Sequence, residues 1–129
     1  MTDSNELILL VDDEEINLFL LQKRLGKDFK IVTALSGMEA LDVLEKHQPN
    51  IKAVISDMMM PGIDGIEFIT RAKEKYPAIH YFILTGYYNN DKLASALKTR
   101  LIEGLFEKPF DYEVIKNTIS MAIKDQIPG

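Results

Sequence analysis

Apolar positions alternate between two rhythms along this chain. Leu7 to Val11 are five apolar residues in a row, closed by Asp12-Asp13. An unbroken run of that length is the pattern of a strand covered on both faces. From Glu14 to Gly26 the rhythm becomes helical. Ile16, Phe19, Leu20 and Lys23 recur at helical spacing, with Lys23 at the polar end, and Leu18, Leu21 and Leu25 widen the stripe. Gly26 is a natural helix stop. Phe29 to Leu35 reads as a second strand, more polar and nearer an edge. Ser36-Gly37-Met38-Glu39 has the capping-box pattern and opens a helix to His47, with Ala40, Leu41 and Leu44 inward. Pro49-Asn50 ends it.

Ala53 to Ser56 forms a third strand that ends on Asp57. Past Pro61-Gly62, Asp64 and Glu67 make a second capping box for a helix to about Tyr76, whose buried stripe is Phe68, Ile69, Ala72 and Tyr76. Pro77 stops it. Tyr81 to Leu84 is a fourth strand before Thr85-Gly86, and Tyr87-Tyr88-Asn89-Asn90 is a loop. Asp91 caps a helix containing Leu93, Ala94, Leu97 and Leu101. Gly104 to Glu107 is a short fifth strand leading into Lys108-Pro109. Asp111 caps the last helix, where Val114, Ile115, Thr118, Ile119, Ala122 and Ile123 share a face. Five strands alternate with five helices through short linkers. Such linkers require parallel strands and right-handed crossovers, so the expected fold is a doubly wound α/β sandwich.

Composition narrows the function classes. At 129 residues the chain is read as one domain over 1–129, with no effector domain, either stand-alone or part of a larger protein. It has no cysteine, which excludes disulfides and thiolate metal sites, and His47 and His80 are far apart in sequence. The formal charge of −5 argues against direct nucleic-acid binding. No apolar run approaches a membrane span, and the acidic start Met1-Thr2-Asp3-Ser4-Asn5-Glu6 is unlike a signal peptide, so a cytoplasmic location is expected. Met58-Met59-Met60 lacks the accompanying His or Cys of a soft-metal site and reads as loop packing.

The chemistry lies in the strand ends. The first strand ends in Asp12-Asp13, the third in Asp57, the fourth in Thr85 and the fifth in Lys108. In a parallel sheet these ends share one edge, beside the crevice where open α/β sheets bind ligands. Three carboxylates there repel one another unless cations are close. Lys108 supplies one positive charge. A divalent ion that prefers oxygen supplies the other, and Mg2+ suits a site of few carboxylates plus waters. Metal, ammonium and the Thr85 hydroxyl together make an electrostatic clamp for a phosphoryl group on Asp57.

On Asp12-Asp13, Asp57 with Met60-Pro61-Gly62-Ile63-Asp64-Gly65, Thr85 and Lys108-Pro109-Phe110, the whole chain resembles a response-regulator receiver domain of two-component signalling. The resemblance implies a flavodoxin-like (βα)5 fold with strand order 2-1-3-4-5. It implies that a sensor histidine kinase, a phosphotransfer protein or a small phosphodonor phosphorylates Asp57. It implies Mg2+ held by Asp13, Asp57 and the Met59 carbonyl, with Asp12 holding a water of the ion. Lys108 would pair first with Asp57 and then with the phosphoryl group, and the Lys108-Pro109 bond would be cis. Thr85 would relay the change to the face of the fourth helix, fifth strand and fifth helix, where a homodimer or an effector, fused or separate, could form. Such a domain assists its own phosphorylation and dephosphorylation without being an enzyme. The alternative is a non-phosphorylated protein-binding module of the same fold.

Two positions depart from the family pattern. Leu105 stands where the relay usually has Tyr or Phe, three residues before the lysine, and Phe106 follows one residue late. A shift of one turns a strand side chain to the other face, so Phe106 is no substitute. Arg100-Leu101-Ile102-Glu103 replaces the usual small-residue and glycine turn before the fifth strand. Neither change touches the clamp. Both bear on how the signal leaves it.

Overall fold

The apolar runs become the strands of a single parallel sheet, and the helical stretches cover its two faces. The structure is a computed structural model that describes residues 6–86 and 91–124. The elements are β1 (Leu7–Val11), α1 (Glu15–Leu25), β2 (Lys30–Ala34), α2 (Gly37–His47), β3 (Ile51–Asp57), α3 (Gly65–Lys75), β4 (His80–Thr85), α4 (Asp91–Lys98), β5 (Gly104–Glu107) and α5 (Tyr112–Lys124). The strand order is β2-β1-β3-β4-β5. The more polar strand, β2, is at an edge as its composition led us to expect.

Period-two alternation divides the core. Leu9, Val11, Val54, Tyr81 and Ile83 face the side covered by α2, α3 and α4, where Ala40, Leu44, Phe68, Ile69, Leu93 and Ala96 join them. Ile8, Leu10, Ala53, Ile55, Phe82, Leu84 and Phe106 face the side covered by α1 and α5. A fully buried side chain of this kind stabilises the fold by roughly 1.5–3 kcal/mol, so these two layers carry most of the driving force.

The caps largely follow the sequence. Ser36 accepts a hydrogen bond from the Glu39 amide at 3.0 Å, and the Glu39 carboxylate accepts one from the Leu35 amide at 2.7 Å. Asp64 accepts one from the Glu67 amide at 2.8 Å. The Glu67 carboxylate does not complete that box. It pairs with Arg71, one turn along, at 2.7 Å. Asp111 accepts from the Glu113 and Val114 amides at 3.0 and 3.3 Å.

Three details differ from the sequence reading. The buried face of α1 is Leu18, Leu21 and Leu25. Ile16, Phe19 and Leu20, expected to lead the stripe, are 69%, 59% and 49% exposed. Apolar residues surround this helix, so its own pattern does not choose a face and the sheet does. Strand β3 begins at Ile51, before the expected Ala53. The β1–β3 register shifts between Leu7 and Ile8, which pair with Ile51 and Ala53, so Lys52 falls at the irregularity and interrupts the apolar run. Helix α4 ends at Lys98, short of Leu101, because Arg100 adopts φ 64°. The Arg100 amide donates to the Leu97 carbonyl and the Leu101 amide to the Ala96 carbonyl, which is a Schellman ending. The expected loop Tyr87-Tyr88-Asn89-Asn90 lies outside the described residues.

Candidate functional site

The sheet register brings the strand tips together. Val11 pairs with Ser56, Asp57 with Leu84, and Thr85 with Glu107. Asp12, Asp57, Thr85 and Lys108 therefore emerge side by side on the carboxyl edge of the sheet. Asp57 is the last residue of β3 and is buried. Lys108, just past β5, donates a hydrogen bond from Nζ to Asp57 Oδ1 at 3.1 Å. Its backbone amide also donates to the Thr85 carbonyl at 2.9 Å, which ties the two strand ends together. Thr85 itself is buried. The Lys108–Pro109 peptide bond is cis, as is Gln48–Pro49.

Asp12, Asp13 and Asp57 each offer a carboxylate oxygen, and these atoms lie within 4.8 Å of one another. Asp12 is buried and Asp13 exposed, so the cluster opens to solvent on one side. Burial pushes the Asp57 carboxyl above its ordinary value. Lys108 and the Met58 amide oppose that rise, and the nearby charge of Asp13 adds to it. Burial also raises Asp12, against the pull of the Glu14 amide, and the Asp57 charge adds to the rise. Lys108 is thus one cation facing three acids. The donor set is all oxygen and short of positive charge, which fits a small divalent ion. Met59, expected to contribute through its carbonyl, has its side chain 72% exposed between buried Met58 and Met60.

Several residues that shape the site had no role assigned from the sequence. The Glu14 amide donates to Asp12 Oδ1 at 2.9 Å and orients that carboxylate. The Ser56 hydroxyl donates to the Asp57 carbonyl at 2.9 Å. Gly65 lets α3 begin against the strand tip. Its amide donates to the Met58 carbonyl at 2.8 Å, and a Cβ there would lie 2.4 Å from the Asp57 carbonyl oxygen. The glycine after the Asp64 cap was the available signal for that close approach. Beyond the clamp, Lys92 at the start of α4 pairs with Asp64 at 2.5 Å. Burial would raise the Asp64 carboxyl, but Lys92 and the Glu67 amide together hold it below its ordinary value.

The expected relay position is also visible. Leu105 pairs with Ile83 and packs, half-buried, on the α2–α3–α4 side. Phe106 pairs with Leu84 and is buried on the opposite side, stacked on Phe82 with ring centroids 5.4 Å apart. Among the described residues no helix is long and apolar enough to cross a membrane.

The family model for the response regulator receiver domain matches residues 8–120. Sporulation initiation phosphotransferase F of Bacillus subtilis is 34% identical over 96% of this chain and 95% of that protein. The hydrogenase transcriptional regulatory protein HoxA of Cupriavidus necator is 28% identical over 98% of this chain, which spans only 26% of that protein's length. Among solved structures, a response regulator receiver domain protein from Clostridium thermocellum superposes with a TM-score of 0.88 at 28% identity, covering 94% of this chain and 96% of that one.

Proposed function

The chain belongs to the response regulator receiver domain family, and from that premise we propose that Asp57 accepts a phosphoryl group in a Mg2+-dependent reaction. Receiver domains are signalling domains, and the donor here is a sensor histidine kinase or a phosphotransfer protein. A single observation carries the reading. Asp57, on the tip of β3, lies 3.1 Å from the Lys108 ammonium and within a group of carboxylate oxygens no more than 4.8 Å apart.

A carboxylate oxygen of Asp57 forms the new P–O bond as the bond from phosphorus to the donor breaks. Lys108 leaves Asp57 Oδ1 for a phosphoryl oxygen, keeping its charge beside the group that gains negative charge. Asp13, Asp57 and the Met59 carbonyl would hold Mg2+, with Asp12 holding a water of the ion. When bound, the ion neutralises charge on the transferring group. The Thr85 hydroxyl donates a hydrogen bond to the phosphoryl group. Its displacement alters the α4–β5–α5 face, which engages an effector, fused or separate, or a second copy of the chain. The chain is one domain working in the cytoplasm.

Incubation with acetyl phosphate and Mg2+, followed by intact-mass measurement, tests this. One added phosphoryl group is expected, absent in Asp57→Ala and suppressed by a chelator. No addition to the wild type, or addition that persists in Asp57→Ala, overturns the assignment and leaves a binding module of the same fold.

A further inference from the structure

A cavity of about 250 Å3 opens beside the clamp, between α1 and the segment after β5. Asp12, Asn17 and Lys108 are its polar residues, while Leu20, Leu21, Leu84, Pro109 and Phe110 line the rest. Leu21 and Leu84 are buried, whereas Leu20 is 49% exposed and stands at the rim. The phosphoryl acceptor requires none of these apolar walls. We infer that the cavity receives the hydrocarbon tail of a small phosphodonor, so that acyl phosphates with short aliphatic chains phosphorylate Asp57 faster than acetyl phosphate does.

Tail binding rests on the reading of Asp57 as phosphoacceptor and follows from the arrangement of charge and apolar surface. An acyl phosphate is anionic at one end and apolar at the other. Lys108 belongs both to the Asp57 pair and to the cavity wall, so the cavity adjoins the place where the donor's phosphoryl group sits. The chemistry balances without a further reactant. An Asp57 oxygen bonds to phosphorus, the bond from phosphorus to the acyl oxygen breaks, and the carboxylate departs with that electron pair. Butanoate and acetate are leaving groups of nearly equal basicity, so a rate difference between their phosphates reports tail binding. The phosphorylated product is the same from either donor, so its hydrolysis cancels from the comparison.

The test measures initial labelling of the full chain by intact mass, with Mg2+ and equal subsaturating concentrations of butanoyl phosphate, acetyl phosphate or tail-less phosphoramidate. Two extra methylenes entering an apolar site predict a butanoyl-to-acetyl ratio of roughly ten. Leu20→Gln, which removes apolar surface at the rim, and Leu20→Trp, which fills the mouth, should each bring that ratio towards one. Equal rates in the wild type, or a ratio unchanged in both variants, overturn the inference while labelling by phosphoramidate upholds Asp57 as acceptor. Failure of every donor to label Asp57 overturns both.

Discussion

Asp12 shows how much of the clamp is electrostatic strain held by backbone geometry. The Glu14 amide fixes its carboxylate, yet burial and the Asp57 charge disfavour its ionised form. Its folded pKa therefore lies above the unfolded one. Above that raised value the ionised Asp12 costs stability, and the cost declines as pH falls below the folded pKa and is gone below the unfolded one. Asp12→Asn keeps an oxygen for the Glu14 amide and removes the charge. In metal-free buffer near neutral pH it should raise stability, read as a higher midpoint of urea unfolding. The gain should shrink as the pH is lowered. The same variant should show less stabilisation by added Mg2+, since binding to the folded state is what shifts that equilibrium. A variant less stable than the wild type at neutral pH would contradict this account.

At the scale of elements, helix ends decide where the functional groups sit. Gly65 allows α3 to start in contact with the Asp57 carbonyl, which sets the loop holding Met58 and Met59. Arg100 does the corresponding work at the end of α4, but with a side chain in a backbone region that favours glycine. Its Schellman hydrogen bonds and the packing of Leu101 against the core hold it there. Arg100→Gly relieves the left-handed strain and should stabilise the domain by roughly 1 kcal/mol, seen as a higher urea midpoint. The chain thus makes the turn without the glycine expected there. A lower midpoint would show that the Arg100 side chain contributes more than its backbone costs.

The whole molecule joins a complete clamp to an output side that departs from the expected pattern at Leu105. Thr85 lies at the tip of β4, and its strand partner is Glu107. Leu105, at the position expected to relay the signal, pairs with Ile83 and is half-buried against the α3–α4 layer, while Phe106 packs in the opposite layer against Phe82. Leucine has neither the hydroxyl nor the flat ring of the Tyr or Phe expected at that position. We expect a phosphoryl mimic such as beryllofluoride with Mg2+ to shift amide NMR signals strongly around Asp57 and only weakly at Leu105 and its α4–β5–α5 neighbours. A large shift there that vanishes in Thr85→Ala would overturn that expectation.

Local chemistry in the sequence already specified much of this protein. The apolar runs predicted five strands, and Ser36, Asp64 and Asp111 marked helix starts that the structure shows as caps. The polar residues ending the runs named Asp12, Asp13, Asp57, Thr85 and Lys108 as neighbours, because parallel strands must finish on one edge. Helical periodicity failed in α1, where apolar residues on all sides leave the choice of face to the sheet it packs against. The capping-box pattern failed at Glu67, whose carboxylate could cap or pair and was taken by Arg71. Tertiary structure alone decided the 3.1 Å approach of Lys108 to Asp57 and the burial that disfavours both Asp57 and Asp12 as anions. It alone opened the apolar cavity beside them. Those features depend on distances between strands far apart in sequence, and a one-dimensional pattern orders such residues without measuring the space between them.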